Sequence, residues 1–116
     1  MTNLKESLLK EQSRLEKILR KAEKQLKDAP QGTMRLSSSK KQVQYYHCMP
    51  GEKKNGRYLP KTEEQLIQRL AQKSYDEKVV KLAGRRLAQI RKITRDYEED
   101  EIEKLFSDEH IERKKL

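Results

Sequence analysis

Four adjacent residues, Tyr45-Tyr46-His47-Cys48, hold much of the side-chain chemistry available to this 116-residue chain. A histidine beside a cysteine suggests a nucleophile and its base. On a strand, however, neighbours project to opposite faces, so His47 and Cys48 do not make that pair with each other. Two histidines, the second being His110, and one cysteine also fall short of the four ligands that a structural zinc draws from these residue types. The reading for His47 is a partly buried ring hydrogen-bonded to a sheet neighbour. With a single cysteine, an intrachain disulfide is excluded.

A second cluster, Glu98 to Glu103, has the carboxylates of a magnesium site. It lies between helical segments with no strand to organise it, and acids at a helix start are favoured by the helix dipole. The expectation is a solvated helix start. No catalytic residue, metal ligand or cofactor is therefore assigned, and the chain reads as a non-enzyme.

What remains is charge interleaved with aromatics. From Pro30 to Lys61, Arg35, Lys40, Lys41, Lys53, Lys54, Arg57 and Lys61 face the single acid Glu52, a net +6 of the chain's formal +9. Lysine and arginine attract phosphates regardless of sequence, and tyrosine stacks on unpaired bases. Alternation places Tyr45 beside Val43 in the core and Tyr46 with Gln44 on a binding face. The candidate nucleic-acid-binding residues are Arg35, Lys40, Lys41, Tyr46, Lys53, Lys54, Arg57 and Lys61. A plainer reading has both tyrosines covering a hydrophobic edge. In the helical stretch that follows, Arg85, Lys92 and Arg95 have the spacing of one ridge, ordinarily a solvated face.

The elements that must position these residues follow from periodicity. From Thr2 to Ala29, Leu4, Leu8, Leu15, Leu19, Ala22, Leu26 and Ala29 recur mostly at three, four and seven, the stripe of an amphipathic helix with a coiled-coil tendency. Gln12 interrupts it, either fixing pairing register or occupying an exposed turn. Pro30 and Gly32 end the helix. Strands are expected at 33–37, 42–48 and 57–59, separated by Ser38 to Lys41 and by Met49 to Gly56, with turn signals at Pro50-Gly51 and Asn55-Gly56. Such a meander is not stable alone, so one face must lie on the helices.

Thr62-Glu63-Glu64-Gln65 has the form of a capping box, and Ser74-Tyr75-Asp76-Glu77 resembles a second. They predict a short helix over about 63–73 followed by a long one carrying Val79 or Val80, Ala83, Leu87, Ile90, Thr94 and Tyr97. Within it, Gly84 is open between close helix approach and a tolerated surface position. From Glu98 the charge reverses, eight acids facing four bases, and Ile102, Leu105 and Phe106 suggest a short terminal helix that docks on the others. The expected fold is α+β in a single domain over 1–116. It has two long antiparallel amphipathic helices (2–29 and within 62–97), a small three-stranded antiparallel sheet inserted between them (33–59), and a short C-terminal helix within the 98–116 tail.

Four blocks carry a family resemblance: Gly32-Thr33-Met34-Arg35-Leu36-Ser37, Gln44-Tyr45-Tyr46-His47, Gly56-Arg57-Tyr58-Leu59-Pro60-Lys61 and Leu70-Ala71-Gln72-Lys73-Ser74-Tyr75. Their order and spacing resemble the N-terminal module of uncharacterised bacterial proteins from anaerobic gut lineages and their mobile elements. In those proteins the C-terminal part looks like a restriction-endonuclease-type nuclease domain. The carboxylates and lysine of such a nuclease are absent here, so the resemblance implies at most an accessory or recognition module and transfers no catalytic residue.

Three functions are expected to compete. The first is a basic module binding DNA or RNA. The second is a protein-interaction module that binds or inhibits a nucleic-acid enzyme such as a CRISPR effector nuclease. The third is a coiled-coil domain forming a homodimer through the Leu8-Leu15-Ala22 stripe. No signal-peptide run or membrane span is evident, and the expected location is the cytoplasm with no membrane partner.

Overall fold

The computed structural model describes residues 3–51, 56–98 and 100–115, the last six as backbone. The architecture is α+β: helix α1 (Leu4–Lys27), strands β1 (Thr33–Ser39), β2 (Gln42–Cys48) and β3 (Arg57–Leu59), and helices α2 (Glu64–Asp96) and α3 (Glu101–Lys115).

Helix α1 starts where Asn3 accepts the Glu6 amide at 2.7 Å, which satisfies one of the unpaired donors of a first turn. Glu6 in that turn and Lys24 and Lys27 in the last complement the helix dipole. The helix is two residues shorter at each end than the expected 2–29, because Asn3 caps it and Asp28 already leaves the helical conformation.

Helix α2 runs back along α1. Leu15, Ala83 and Leu87 form the buried centre, with Leu19 and Ile90 packed against it. The antiparallel direction also shows in the polar pairs: Lys5 meets Glu98 at 3.1 Å, Arg91 meets Glu16 at 3.3 Å and the Thr94 hydroxyl donates to Gln12 at 3.4 Å. Gln12 in turn donates to Glu16 at 3.2 Å, so it joins the interhelical polar contacts. A Cβ at Gly84 would meet nothing within 4 Å, which removes close helix approach as its explanation.

Two expectations about α2 are corrected. It begins through a 3-10 turn over Lys61–Glu63, in which the Glu63 amide donates to the Pro60 carbonyl at 2.9 Å, and no side-chain cap forms at Thr62 or Glu63. It is also continuous for 33 residues, so Ser74 does not open a new helix. Asp76, read as part of a second cap, is instead 3% exposed. It accepts from Gln72 at 2.9 Å, and the Gln25 amide, assigned with its nitrogen toward the carboxylate, lies at 3.1 and 3.2 Å. Helix packing and these amides override the local capping preference of Ser and Asp.

The sheet has the order β1-β2-β3, all antiparallel. The first hairpin turns on two residues, Lys40 and Lys41, at φ of 45° and 69°. Strand β1 consequently runs two residues further than expected, to Ser39, while β2 and β3 have the expected bounds. Side chains of Arg69 and Lys73 tie the loop after α1 to α2. Arg69 donates to the Asp28 carbonyl at 2.7 Å, and Lys73 to the Pro30 and Gly32 carbonyls at 2.9 and 2.7 Å. These cations occupy acceptors that the end of α1 and the following loop would otherwise leave to water.

The docking expected of the last helix is not observed. Ile102, Leu105 and Phe106 on α3 remain 78, 70 and 72% exposed. The molecule is a rod of 83 × 29 × 27 Å, with the sheet at one end and α3 beginning at the other.

Candidate nucleic-acid interface

Register brings together residues far apart in the chain. Arg35, Tyr46 and Tyr58 are cross-strand partners, so their side chains share one face of the sheet. The Arg35 guanidinium lies 4.4 Å from the Tyr46 ring centroid, a cation–π contact. The Tyr46 and Tyr58 rings meet edge to face, with centroids 5.8 Å apart and an interplanar angle of 65°. The Tyr46 hydroxyl donates to Gln44 at 3.1 Å, which fixes the ring from its far end. Tyr46 is half-buried in this row, while Tyr58 keeps 50% of its surface.

The same face continues toward the hairpin tip through the pairs Ser37 with Gln44 and Ser39 with Gln42. It ends at Lys40 and Lys41, both exposed. Consecutive left-handed φ values are those of a tight hairpin turn that favours Asn-Gly, and lysine adopts them at a cost of about 1–2 kcal/mol per residue. Two cations thus occupy the tip of a polar and aromatic ribbon.

The other face carries Tyr45, which pairs with Leu36 on one side and the buried Leu59 on the other. Tyr45 therefore belongs with the side that meets the helices, as alternation predicted. His47 shares that face with Met34 and Arg57. Its Nε2 lies 2.7 Å from the Gln31 carbonyl, so Nε2 carries the proton and donates. The partner is a loop residue and not a sheet neighbour. Gly32, at φ of 88°, passes directly over the β2 end, where a methyl group would collide with the Cys48 carbonyl.

The candidate residues consequently do not form one patch. Arg35, Tyr46, Lys40 and Lys41 lie along the ribbon. Arg57 is on the opposite face and donates both terminal nitrogens to Glu63, each at 3.0 Å. That bidentate pair holds the Glu63 carboxyl below its ordinary range, first through the hydrogen bond and then through the charges of Arg57 and His47, and it raises the Arg57 pKa. The local positive charge is lower than the count over 30–61 implied, because its partner acid stands just outside that window. Lys61, in the 3-10 turn, is exposed and borders a cleft of about 370 Å³ with Val43, Tyr45, Leu59 and Ile67. Lys53 and Lys54 lie outside the described residues, as does most of the Asn55-Gly56 turn.

Sequence reading missed Tyr58 as a site residue, although period-two alternation with a known register would have placed it beside Tyr46. It also missed Lys73, whose acceptors lie more than forty residues away. On α2, Arg85, Lys92 and Arg95 are all exposed, with Arg95 at 3.7 Å from Asp96. In the acidic segment, Glu98 pairs with Lys5, Lys104 pairs with Asp100 at 3.5 Å, and the Glu98 amide donates to Glu101 at 3.3 Å. These contacts stand at the start of α3. Among the described residues, no group of three or more His, Cys, Asp or Glu side chains is placed to hold a metal ion. No described helix is long and apolar enough to cross a membrane. No family model, curated protein or solved structure matches the chain.

Proposed function

We propose that the chain is a non-enzymatic accessory module that binds single-stranded nucleic acid along the Arg35–Tyr46–Tyr58 ribbon and its Lys40-Lys41 tip. The carrying observation is the cross-strand row itself: an exposed tyrosine, a second tyrosine bracing it edge-on, and an arginine stacked behind. A base stacks on the open side of Tyr58 without sequence preference, while Lys40 and Lys41 meet phosphates along the strand. Ser37, Ser39, Gln42 and Gln44 supply neutral donors and acceptors between these two ends.

Fluorescence anisotropy with labelled single-stranded DNA, single-stranded RNA and duplex, each at two salt concentrations, tests this reading. Binding should favour a single strand and weaken steeply with salt. Tyr58→Ala should weaken it by about 1–3 kcal/mol, the usual worth of one stacked base. Lys40→Gln with Lys41→Gln should lower the salt slope by about 1.4, two phosphate contacts at about 0.7 each. Absence of binding to any of the three at low salt overturns the proposal, and binding indifferent to Tyr58 removes the ribbon from it.

A further inference from the structure

The two ends of the rod are complementary in a way one copy cannot use. At one end, α3 exposes Ile102, Leu105 and Phe106, and from Asp100 to Glu109 five acids outnumber the single base Lys104. At the other end, the sheet leaves Leu36 and Val43 59 and 56% exposed, beside the cleft bordered by Tyr45, Ile67 and Lys61. Lys40 and Lys41 stand at the hairpin tip next to Val43 in the chain.

Both are apolar patches rimmed by charge, of opposite sign. Contact within one chain is excluded by length. The 33 residues of α2 separate the two ends by about 50 Å, whereas the 15 residues of α3 span only about 22 Å.

From this we infer that the chain forms an antiparallel homodimer in which α3 of each copy docks on the sheet end of the other. The face occupied is the one carrying Leu36, Val43 and the cleft, with the acids of α3 toward Lys40, Lys41 and Lys61. Two rods laid side by side in opposite directions make this contact twice about a two-fold axis. The assembly therefore closes and does not grow into a filament. Tyr58, Gln42 and Gln44 also border this cleft, and Lys40 and Lys41 serve both surfaces, so dimerisation and nucleic-acid binding compete for this end of the sheet. The docked face is distinct from the Leu8-Leu15-Ala22 stripe, whose Leu15 and Ala22 are already buried within one chain.

Sedimentation equilibrium on the nuclease-treated 116-residue chain decides the question. A concentration-dependent dimer is expected. Leu105→Asp should weaken it about tenfold or more, and Lys40→Glu with Lys41→Glu should do the same through like-charge juxtaposition. Adding Glu103→Lys and Asp108→Lys to the lysine variant should recover most of the lost affinity, a rescue that misfolding would not give. Circular dichroism of each variant checks that the helices persist.

A monomer at all concentrations overturns the inference. So does a dimer indifferent to Leu105, or one sensitive to Leu105 but not to Lys40 and Lys41, since the latter is α3 pairing with another surface. Because no nucleic acid is present, failure here is separate from failure of nucleic-acid binding.

Discussion

Between α1 and α2, Leu15, Ala83 and Leu87 are buried together, whereas the sheet contributes one comparable side chain, Leu59. Beside the half-buried Met34 and Tyr45, the attachment of the sheet and of the loop before it relies on polar contacts. Lys73 holds the carbonyls of Pro30 and Gly32, Arg69 holds that of Asp28, His47 donates to Gln31 and Arg57 grips Glu63. The helix pair is thus joined by a periodic stripe, and the sheet by a few directional contacts whose partners are mostly backbone oxygens. Directional contacts to exposed groups each contribute about 0.5–1.5 kcal/mol net, rising to about 3 for a charged donor. The sheet should therefore open locally at a free energy below that of global unfolding. A binding face placed on it can adapt without disturbing the helices.

The largest break in this comparison is Leu87→Ala. Leu87 is 1% exposed at the centre of the helix pair, and truncation there should cost about 2–5 kcal/mol. In a domain whose whole stability is about 5–15 kcal/mol, urea unfolding followed by circular dichroism should shift as one transition for helices and sheet. Leu59→Ala removes a side chain of equal size and similar burial, at 2% exposure. Its effect should appear first as faster amide exchange in 33–48, with the α1 and α2 amides slow. If the two variants exchange alike, helix pair and sheet are one cooperative unit and the distinction fails.

Gly32→Ala comes next. Its φ of 88° is in the left-handed region, and the added methyl meets the Cys48 carbonyl, a backbone atom that cannot rotate aside. The expected loss is about 1–3 kcal/mol, confined to the sheet. Lys73→Met, which keeps the aliphatic stem but frees two carbonyls, should cost about 1–3 kcal/mol in the same region. Hydrogen exchange reads both, and protection of α2 amides should be unchanged.

Lys40→Asn with Lys41→Gly acts in the opposite direction. The replacement suits a turn with two positive φ values and should stabilise the hairpin by about 1 kcal/mol while removing two cations. Stability and nucleic-acid affinity should move apart, which a thermal melt and the anisotropy assay measure together. A loss of stability would mean that the lysine side chains make compensating contacts at the tip.

What could be read from the sequence divides along the same line. The helical stripes were visible because burial on a helix repeats every three to four residues, and Leu15, Ala83, Leu87 and Ile90 sit where that repeat put them. The strands were visible by alternation, which put Tyr45 and Tyr46 on opposite faces, as the register has them. The Lys40-Lys41 turn was not, because nothing in two lysines signals left-handed backbone. Asp76 looked like a cap because its burial depends on Gln25 and Gln72 meeting it across a helix interface, which local propensity does not encode. The ribbon required register: Arg35 and Tyr58 join Tyr46 only once three strands are aligned. Arg57 was counted as available charge because Glu63, its neutralising partner, is brought to it by the turn into α2.

The smallest expected effect compares the two regions by titration. Glu16 in the helix pair is held below the ordinary glutamate range by the hydrogen bond from Gln12 and then that from Arg91. Glu63 at the sheet is held there by Arg57. A depressed folded-state pKa means that, as pH falls, the unfolded chain takes up the proton first. Each carboxylate therefore contributes stability that is present above its unfolded value and is lost as pH falls through its folded value. Both groups are partly exposed at the surface, so each contribution is small and weakens with salt. Carboxyl titration by NMR should show Arg57→Ala returning Glu63 toward its ordinary value with Glu16 unmoved, and Arg91→Ala partly raising Glu16 with Glu63 unmoved. Because Gln12 remains, the second shift should be the lesser of the two. Movement of both carboxyls in either variant would mean that the sheet and the helix pair communicate through the rod, and that the local character assigned to the sheet is wrong.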